Sequence, residues 1–301
     1  MKDPGFLQQY SERVEAMRKS PYLDFPHHIH LETLSLCPAA CSFCPYPGLE
    51  RKGSKMDDSL IDKLFSDLAD MPKNLAFQFS PQKVNEPFMD TRLEDLLRKI
   101  NRRLPQAVIN LTTNATPLTE ARLLSLTEIS NINYLWISVN ESEPEAYART
   151  MQLSWDLVQS RLRMVHKQLA KGKLNFEIVL SRVGDGSTAD QAFRDWVHTH
   201  YPLFRSSVFQ RGSWLGQIPD QTLAANMPEV PDLGCTRWFD LSITSEGVVA
   251  HCCMDGKAEW PIGDIRTHHA LEIYNQPAWR RLRESVLSRR EVAPCNGCTF
   301  L

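Results

Sequence analysis

Short apolar runs and amphipathic stretches alternate along most of the chain. The runs lie at 28–36 (HIHLETLSL), 74–80 (NLAFQFS), 107–113 (AVINLTT), 133–139 (NYLWISV), 175–181 (NFEIVLS) and 206–210 (SSVFQ). Between them, apolar positions recur at helical spacing over 60–68, 93–100, 118–126, 147–169 and 189–200. Strands that alternate with helices build βαβ units around a parallel sheet. The expected fold is therefore α/β: a partial (β/α)6, TIM-like barrel, with a doubly wound sheet as the competing architecture. Before it, residues 1–26 read as an amphipathic helix and a Pro-containing connector.

The texture changes after residue 216. Residues 218–233 are rich in Pro, Asn, Asp and Gln and read as a linker. Then 237–244 and 248–252 flank Ser245-Glu246-Gly247, a hairpin turn, and a helix is expected over 270–288. The expected division is an N-terminal helical extension (1–26), a partial barrel (27–216), and a linker with a small C-terminal domain of β-hairpin plus helix (217–301).

Composition narrows the function classes. A formal net charge of −2 gives no electrostatic reason to expect nucleic acid or a membrane surface as partner. The charged N-terminus lacks a signal core, so the expected compartment is the cytoplasm. In a reducing compartment, clustered cysteines are metal ligands or catalytic groups more often than disulfides. The eight cysteines are clustered: Cys37, Cys41 and Cys44 early, then Cys235, Cys252, Cys253, Cys295 and Cys298 late.

The early group is C-x3-C-x2-C, directly after the first strand. Three thiolates in so tight a loop grip three corners of a cubane and leave one iron free of protein ligands. A structural zinc site prefers four ligands, gathered as separated pairs. In the late group, Gly247 lets the chain turn tightly and return Cys252 beside Cys235, and the last helix brings back the Cys295-x2-Cys298 pair. Four thiolates suit a [4Fe–4S] cluster or a zinc ion, and spacing alone does not separate the two.

Cys37-x3-Cys41-Ser42-Phe43-Cys44 resembles the signature loop of the radical S-adenosylmethionine (SAM) superfamily, including the aromatic residue before the third cysteine. The tail resembles the twitch domain of that superfamily, the first half of the longer SPASM domain. Its C-x11-G-x4-C opening, its Cys252-Cys253-Met254-Asp255 string and its closing C-x2-C carry that likeness. The resemblance implies two [4Fe–4S] clusters and SAM as cofactors. Cys37, Cys41 and Cys44 hold the first cluster, and Cys235, Cys252, Cys295 and Cys298 hold the auxiliary one. It implies reductive cleavage of SAM to a 5′-deoxyadenosyl radical, which takes a hydrogen atom from the substrate. Glu86, in Gln82-Lys83-Val84-Asn85-Glu86-Pro87, matches the family's SAM-binding Gly-Gly-Glu element with its glycines missing. Phe43, Asn114 and Ser138 fall at further SAM-contacting positions, beside Thr113 and Asn140.

The expected role of the auxiliary cluster is to accept an electron in the net oxidation of a small molecule, as in the twitch-bearing alcohol dehydrogenases. Redox-neutral epimerisation or decarboxylation and peptide maturation share these motifs. A non-enzymatic zinc protein explains the tail but not the triplet. The implied electron donor is external, such as a flavodoxin or ferredoxin. No residue is assigned a catalytic role on the substrate. Cys253 reads as a small buried side chain facing away from the cluster, or else as a hydrogen-atom donor. His27, His28 and His30 read as packing or surface residues. Arg280, Arg281, Arg283, Arg289 and Arg290 read as a solvated helix face. Arg211, Trp214, Glu177 and Arg182 are candidate pocket residues without a role.

Overall fold

The computed structural model describes residues 4–218 and 229–300. The first five apolar runs alternate in which residues meet the helices. Ile29, Leu31, Phe77, Phe79, Ile109, Leu111, Leu135, Ile137, Ile178 and Leu180 are all buried in one core with the helices. The residues between them, including His28, His30, Gln78, Ser80 and Asn110, take the opposite face, because neighbouring strand residues point to opposite sides. Buried parallel strands are usually apolar on both faces. Here the inner face is polar on β1 and β2 and mixed on the later strands, with Val108, Trp136 and Val179, and it is the face that receives the site.

The chain opens with helix α1 (Pro4–Arg18). Strands β1 (His28–Leu31), β2 (Phe77–Ser80), β3 (Ala107–Thr113), β4 (Ile132–Ser138), β5 (Glu177–Gly184) and β6 (Arg205–Gln210) pair in parallel in chain order. Helices α2 (Asp58–Leu68), α3 (Leu93–Arg103), α4 (Glu120–Ser125), α5 (Pro144–Met151), α6 (Trp155–Ala170) and α7 (Thr188–His200) connect them. The six-unit partial barrel is thus present. The expected helix over 147–169 is two helices. Gln152 takes a left-handed conformation (φ 54°) that ends α5, and the Ser154 hydroxyl accepts from Leu157 N–H to start α6.

The tail extends the same sheet. Strand β7 (Asp240–Ile243) pairs in parallel with the free edge of β1. β8 (Val248–Ala250) and β9 (Pro261–Asp264) then add antiparallel strands. The sheet has nine strands in the order β6-β5-β4-β3-β2-β1-β7-β8-β9, running without a break past the boundary expected near residue 217. Strand β9 was not foreseen, since PIGD has no alternation. The expected 270–288 helix divides into α8 (Ala270–Tyr274) and α9 (Pro277–Ser285), because Pro277 cannot donate within α8 but suits a first helical turn.

The hairpin turn is as expected. Gly247 has φ +84°, and a Cβ there would stand 3.1 Å from both Leu60 and Arg266 side-chain carbons. A Gly247→Ala variant is expected to lose about 1–2 kcal/mol through the left-handed backbone alone. A lowered denaturation midpoint measures this, and an unchanged midpoint contradicts it.

The expected solvated arginine face holds for only part of its set. Arg283 and Arg289 are fully buried. Arg283 stacks on Tyr274 at 3.7 Å and donates to the carbonyls of Leu23 and Tyr274. Arg289 donates to the carbonyls of Leu233, Gly234 and Phe300. Their helical spacing could not reveal this, because the carbonyls they satisfy come from distant segments. Among the described residues, no helix is long and apolar enough to cross a membrane.

Candidate active site

The cysteine triplet follows β1, at the strand's C-terminal end, where barrels of this kind carry their chemistry. Tyr46 OH accepts from Cys37 N–H at 2.8 Å, and Cys44 Sγ accepts from Tyr46 N–H at 3.5 Å, so the loop folds back on itself. Asn114 Nδ2 lies 3.6 Å from Cys37 Sγ. All three sulfurs border one cleft of about 290 Å³. Phe43, Glu86, Asn114 and Ser138 border the same cleft. Thr113 does too, whereas Asn140, also singled out from sequence, does not.

The donor chemistry suits a cationic cluster. Burial pushes the Cys37 thiol up to about 12 and the Cys44 thiol up to about 11, and burial with the neighbouring thiols raises Cys41 as well. Three crowded thiols that resist ionisation alone are the ones a metal centre converts to thiolates.

Glu86 is buried and already well satisfied. It accepts from Thr113 Oγ at 2.7 Å, Asn114 N–H at 2.6 Å and Phe88 N–H at 3.1 Å. A carboxylate accepts about four hydrogen bonds, so one site is left for a ligand. Burial raises its pKa to about 7 against the pull of those donors. Asn85 beside it also lines the cleft. Its Oδ1 accepts from Lys83 N–H, while its buried Nδ2 has no partner among the described residues. Asn140 is spent on structure: its amide donates to Ser138 Oγ and accepts from Val183 N–H.

Trp214 lines the cleft, and Arg211 sits over the Phe43 ring at 6.0 Å. Arg182 and Glu177 lie elsewhere. Arg182 is buried in ion pairs with Glu141 and Asp190, and Glu177 pairs with Arg205 on the outer strands.

The second group also converges. Cys235, Cys252, Cys295 and Cys298 enclose a small space of about 10 Å³, walled by Trp238, His251, Met254, Arg289 and Phe300. Trp238 Nε1 donates to Cys295 Sγ at 3.4 Å, and His251 Nε2 lies 3.1 Å from the same sulfur. Burial holds His251 down at about 4, so its ring is neutral. Tyr10 of α1 donates to Cys235 Sγ at 3.7 Å, a contact between the first helix and the tail that no local pattern announces. Four converging sulfurs, two of them beside N–H or O–H groups, suit a closed cluster. Asp255 explains how Cys252 is held. Its fully buried carboxylate accepts from Gln217 Nε2 and from the N–H groups of His251, Glu259 and Trp260, pinning the loop.

Residues 235–299 match the SPASM family, an iron–sulfur cluster-binding domain. The whole architecture matches solved radical SAM enzymes. The chain carries the radical SAM fold closed by a SPASM domain. BtrN in complex with AdoMet and 2-DOIA has a TM-score of 0.65 at 18% identity, covering 92% of this chain and 94% of that one. SuiB of Streptococcus suis bound to the precursor peptide SuiA has 0.67 at 12%, covering 99% and 75%. The anSMEcpe structure with AdoMet and the Cp18Cys peptide has 0.60 at 15%, covering 86% and 83%. At these identities the shared property is the fold. No curated protein matches the chain by sequence.

Within this radical SAM fold, Cys252 and Cys253 lie in the turn after β8 and not on a strand as expected, yet they face different ways. Cys252 borders the auxiliary site, whereas Cys253 turns to His30 on the inner face of β1. Burial pushes the Cys253 thiol up, but Arg237 and His30 outweigh it and leave it below the ordinary range. His28 and His30 are more than packing residues. Their ring centres lie 3.9 Å apart with the planes tilted by 32°, His28 bonds Ser80 Oγ at 2.8 Å, and His30 faces Asp240 at 3.4 Å. Their ring nitrogens and the Asp240 carboxylate lie within 4.8 Å, but Arg237 already occupies that carboxylate at 3.2 Å. Sequence reasoning missed this network because Asp240 lies over 200 positions away.

Proposed function

We propose that this protein is a radical SAM enzyme that oxidises a small molecule, with its auxiliary cluster as the electron acceptor. Cys37, Cys41 and Cys44 would hold the cluster that binds SAM, and Cys235, Cys252, Cys295 and Cys298 the second. When bound, these groups supply a carbon-centred radical that takes a hydrogen atom from the substrate, and an acceptor for the electron left behind.

The observation that carries the oxidative reading is a shared wall. Met254 and Phe300 border both the cleft and the auxiliary cysteine site. A substrate in the cleft would thus be one side-chain layer from the second cluster. The four-cysteine set leaves no coordination site for the substrate, so electron transfer is the role that fits. The chain's own contribution is positional. Glu86 ties the ends of β2 and β3 together, Phe43 and Trp214 line the cleft, and Trp238, Met254 and Phe300 pack around the auxiliary site. Loss of the hydrogen atom and the electron leaves one proton, which passes to solvent through the open cleft.

The experiment is redox accounting in turnover. The expected product is lighter by two hydrogen atoms, with one 5′-deoxyadenosine formed per product. A Cys295→Ser/Cys298→Ser variant is expected to keep SAM cleavage, lose about four of about eight irons and form no oxidised product. A product isomeric with its substrate would overturn the oxidative reading in favour of redox-neutral chemistry.

A further inference from the structure

Lys83 brings to the cleft a positive charge that no carboxylate contacts directly, although Asp255 attracts it through space. Lys83, between β2 and Glu86, lines the cleft and is half-buried. Its ammonium donates to Ser242 Oγ at 3.0 Å and to the carbonyl of Cys252 at 3.1 Å. Both acceptors are neutral, and an ammonium has three protons to donate. Among the described residues, the lysines that pair with carboxylates are Lys63, Lys99 and Lys257.

The acids near Lys83 are committed elsewhere. Asp255 has four donors on its carboxylate, and Asp240 is held by His30 and Arg237. Other buried cations differ. Arg51 and Arg182 each have a carboxylate, and Arg283 and Arg289 are wrapped in carbonyls. A desolvated charge without an opposite partner is costly, and a fold that keeps one in a cleft gains if a ligand completes it.

Position decides which ligand. The Lys83 backbone belongs to the loop beside Glu86, whereas its ammonium rests on the backbone of Cys252. A group on the remaining N–H therefore lies between the two sets of cysteines, where the substrate must sit. The polar inner face, with Ser80 and Ser242, lies below it, and Phe209 and Trp214 border the cleft.

We propose that Lys83 is the anion receptor of the substrate site, and that the substrate is a small molecule bearing a carboxylate that takes the free proton of the Lys83 ammonium. The inference rests on the radical SAM reading of this cleft. It sets the substrate class, which the cluster motifs leave open.

The test uses the full chain with both clusters reconstituted and SAM saturating, and reads binding rather than turnover. The probes are benzoate and benzamide, equal in shape and different in charge, followed by saturation-transfer NMR. Wild type is expected to bind benzoate at least about tenfold more tightly than benzamide, as a charge-assisted contact implies. Lys83→Met should erase the preference and Lys83→Arg should restore it, with iron content and circular dichroism matching wild type in both. SAM affinity should change by less than about twofold in Lys83→Met, a negligible free-energy difference.

Equal binding of the probes, binding of neither, or a preference that survives Lys83→Met would overturn the proposal. So would a tenfold loss of SAM affinity in that variant, since Lys83 would then serve the methionine carboxylate of SAM. Wild type that fails to take up iron or bind SAM speaks against the radical SAM reading instead. A wild type that does both and ignores the probe's charge refutes the anion receptor alone.

Discussion

Replacing Cys37, Cys41 and Cys44 together with Ala is expected to abolish SAM cleavage and halve the iron bound after anaerobic reconstitution. Wild type should hold about eight irons and the variant about four, as two cubane sites imply. The two groups of ligands do not overlap. The triplet borders the open cleft, and Cys235, Cys252, Cys295 and Cys298 border a separate, smaller space. Loss of one set therefore leaves the other intact, and the remaining iron should stay with the tail. Metal analysis with a sulfide assay reads this directly. If wild type takes up zinc alone, both the cluster assignment and the proposed chemistry fall. Four irons plus zinc in wild type would remove the electron acceptor and leave only redox-neutral chemistry for the cleft.

Glu32→Ala is expected to be among the most destabilising single substitutions in the chain. Glu32 directly follows β1 and is fully buried. Its carboxylate takes Arg51 in two bonds, Nε at 2.6 Å and Nη2 at 3.1 Å, and accepts from the Ser245 N–H and hydroxyl at 3.3 and 3.2 Å. Arg51 passes on to the carbonyl of Gly256 at 2.8 Å. One ion pair thus knots together the end of β1, the segment after the cluster loop, the β7–β8 turn and the loop that carries Cys252. Removing the acid leaves a buried guanidinium uncompensated, which costs about 3–5 kcal/mol. In a chain of this size that corresponds to a melting temperature lower by on the order of 10 °C. A Glu32→Met/Arg51→Met double variant should recover much of the loss, because both charges leave together and similar volume remains. A double variant as unstable as Glu32→Ala would show that the knot matters for its geometry and not for its charges.

These two predictions differ in where their evidence is visible. The cysteine triplet, the C-x2-C pair and Gly247 are local, and local spacing states their chemistry without any tertiary structure. The strands other than β9 were legible for the same reason, since apolar runs are a property of a few consecutive residues. Helix breaks were less so. Gln152 ends α5 through a backbone conformation that its side chain does not advertise, whereas Pro277 could have been read as a helix start.

By itself, the sequence determined the alternating α/β plan and the two groups of clustered cysteines. Only the tertiary structure decided what those parts meet. It set β7 beside β1, so that the tail continues the barrel sheet, and it placed Met254 and Phe300 between the two cysteine sites. It turned Arg283 and Arg289 inward and paired Glu32 with Arg51. It left Lys83 facing the cleft with no carboxylate in direct contact. The reason is physical: a charge acquires its energetic meaning from burial and from its partner. Here those partners lie tens to hundreds of residues away, beyond the reach of any periodicity along the chain.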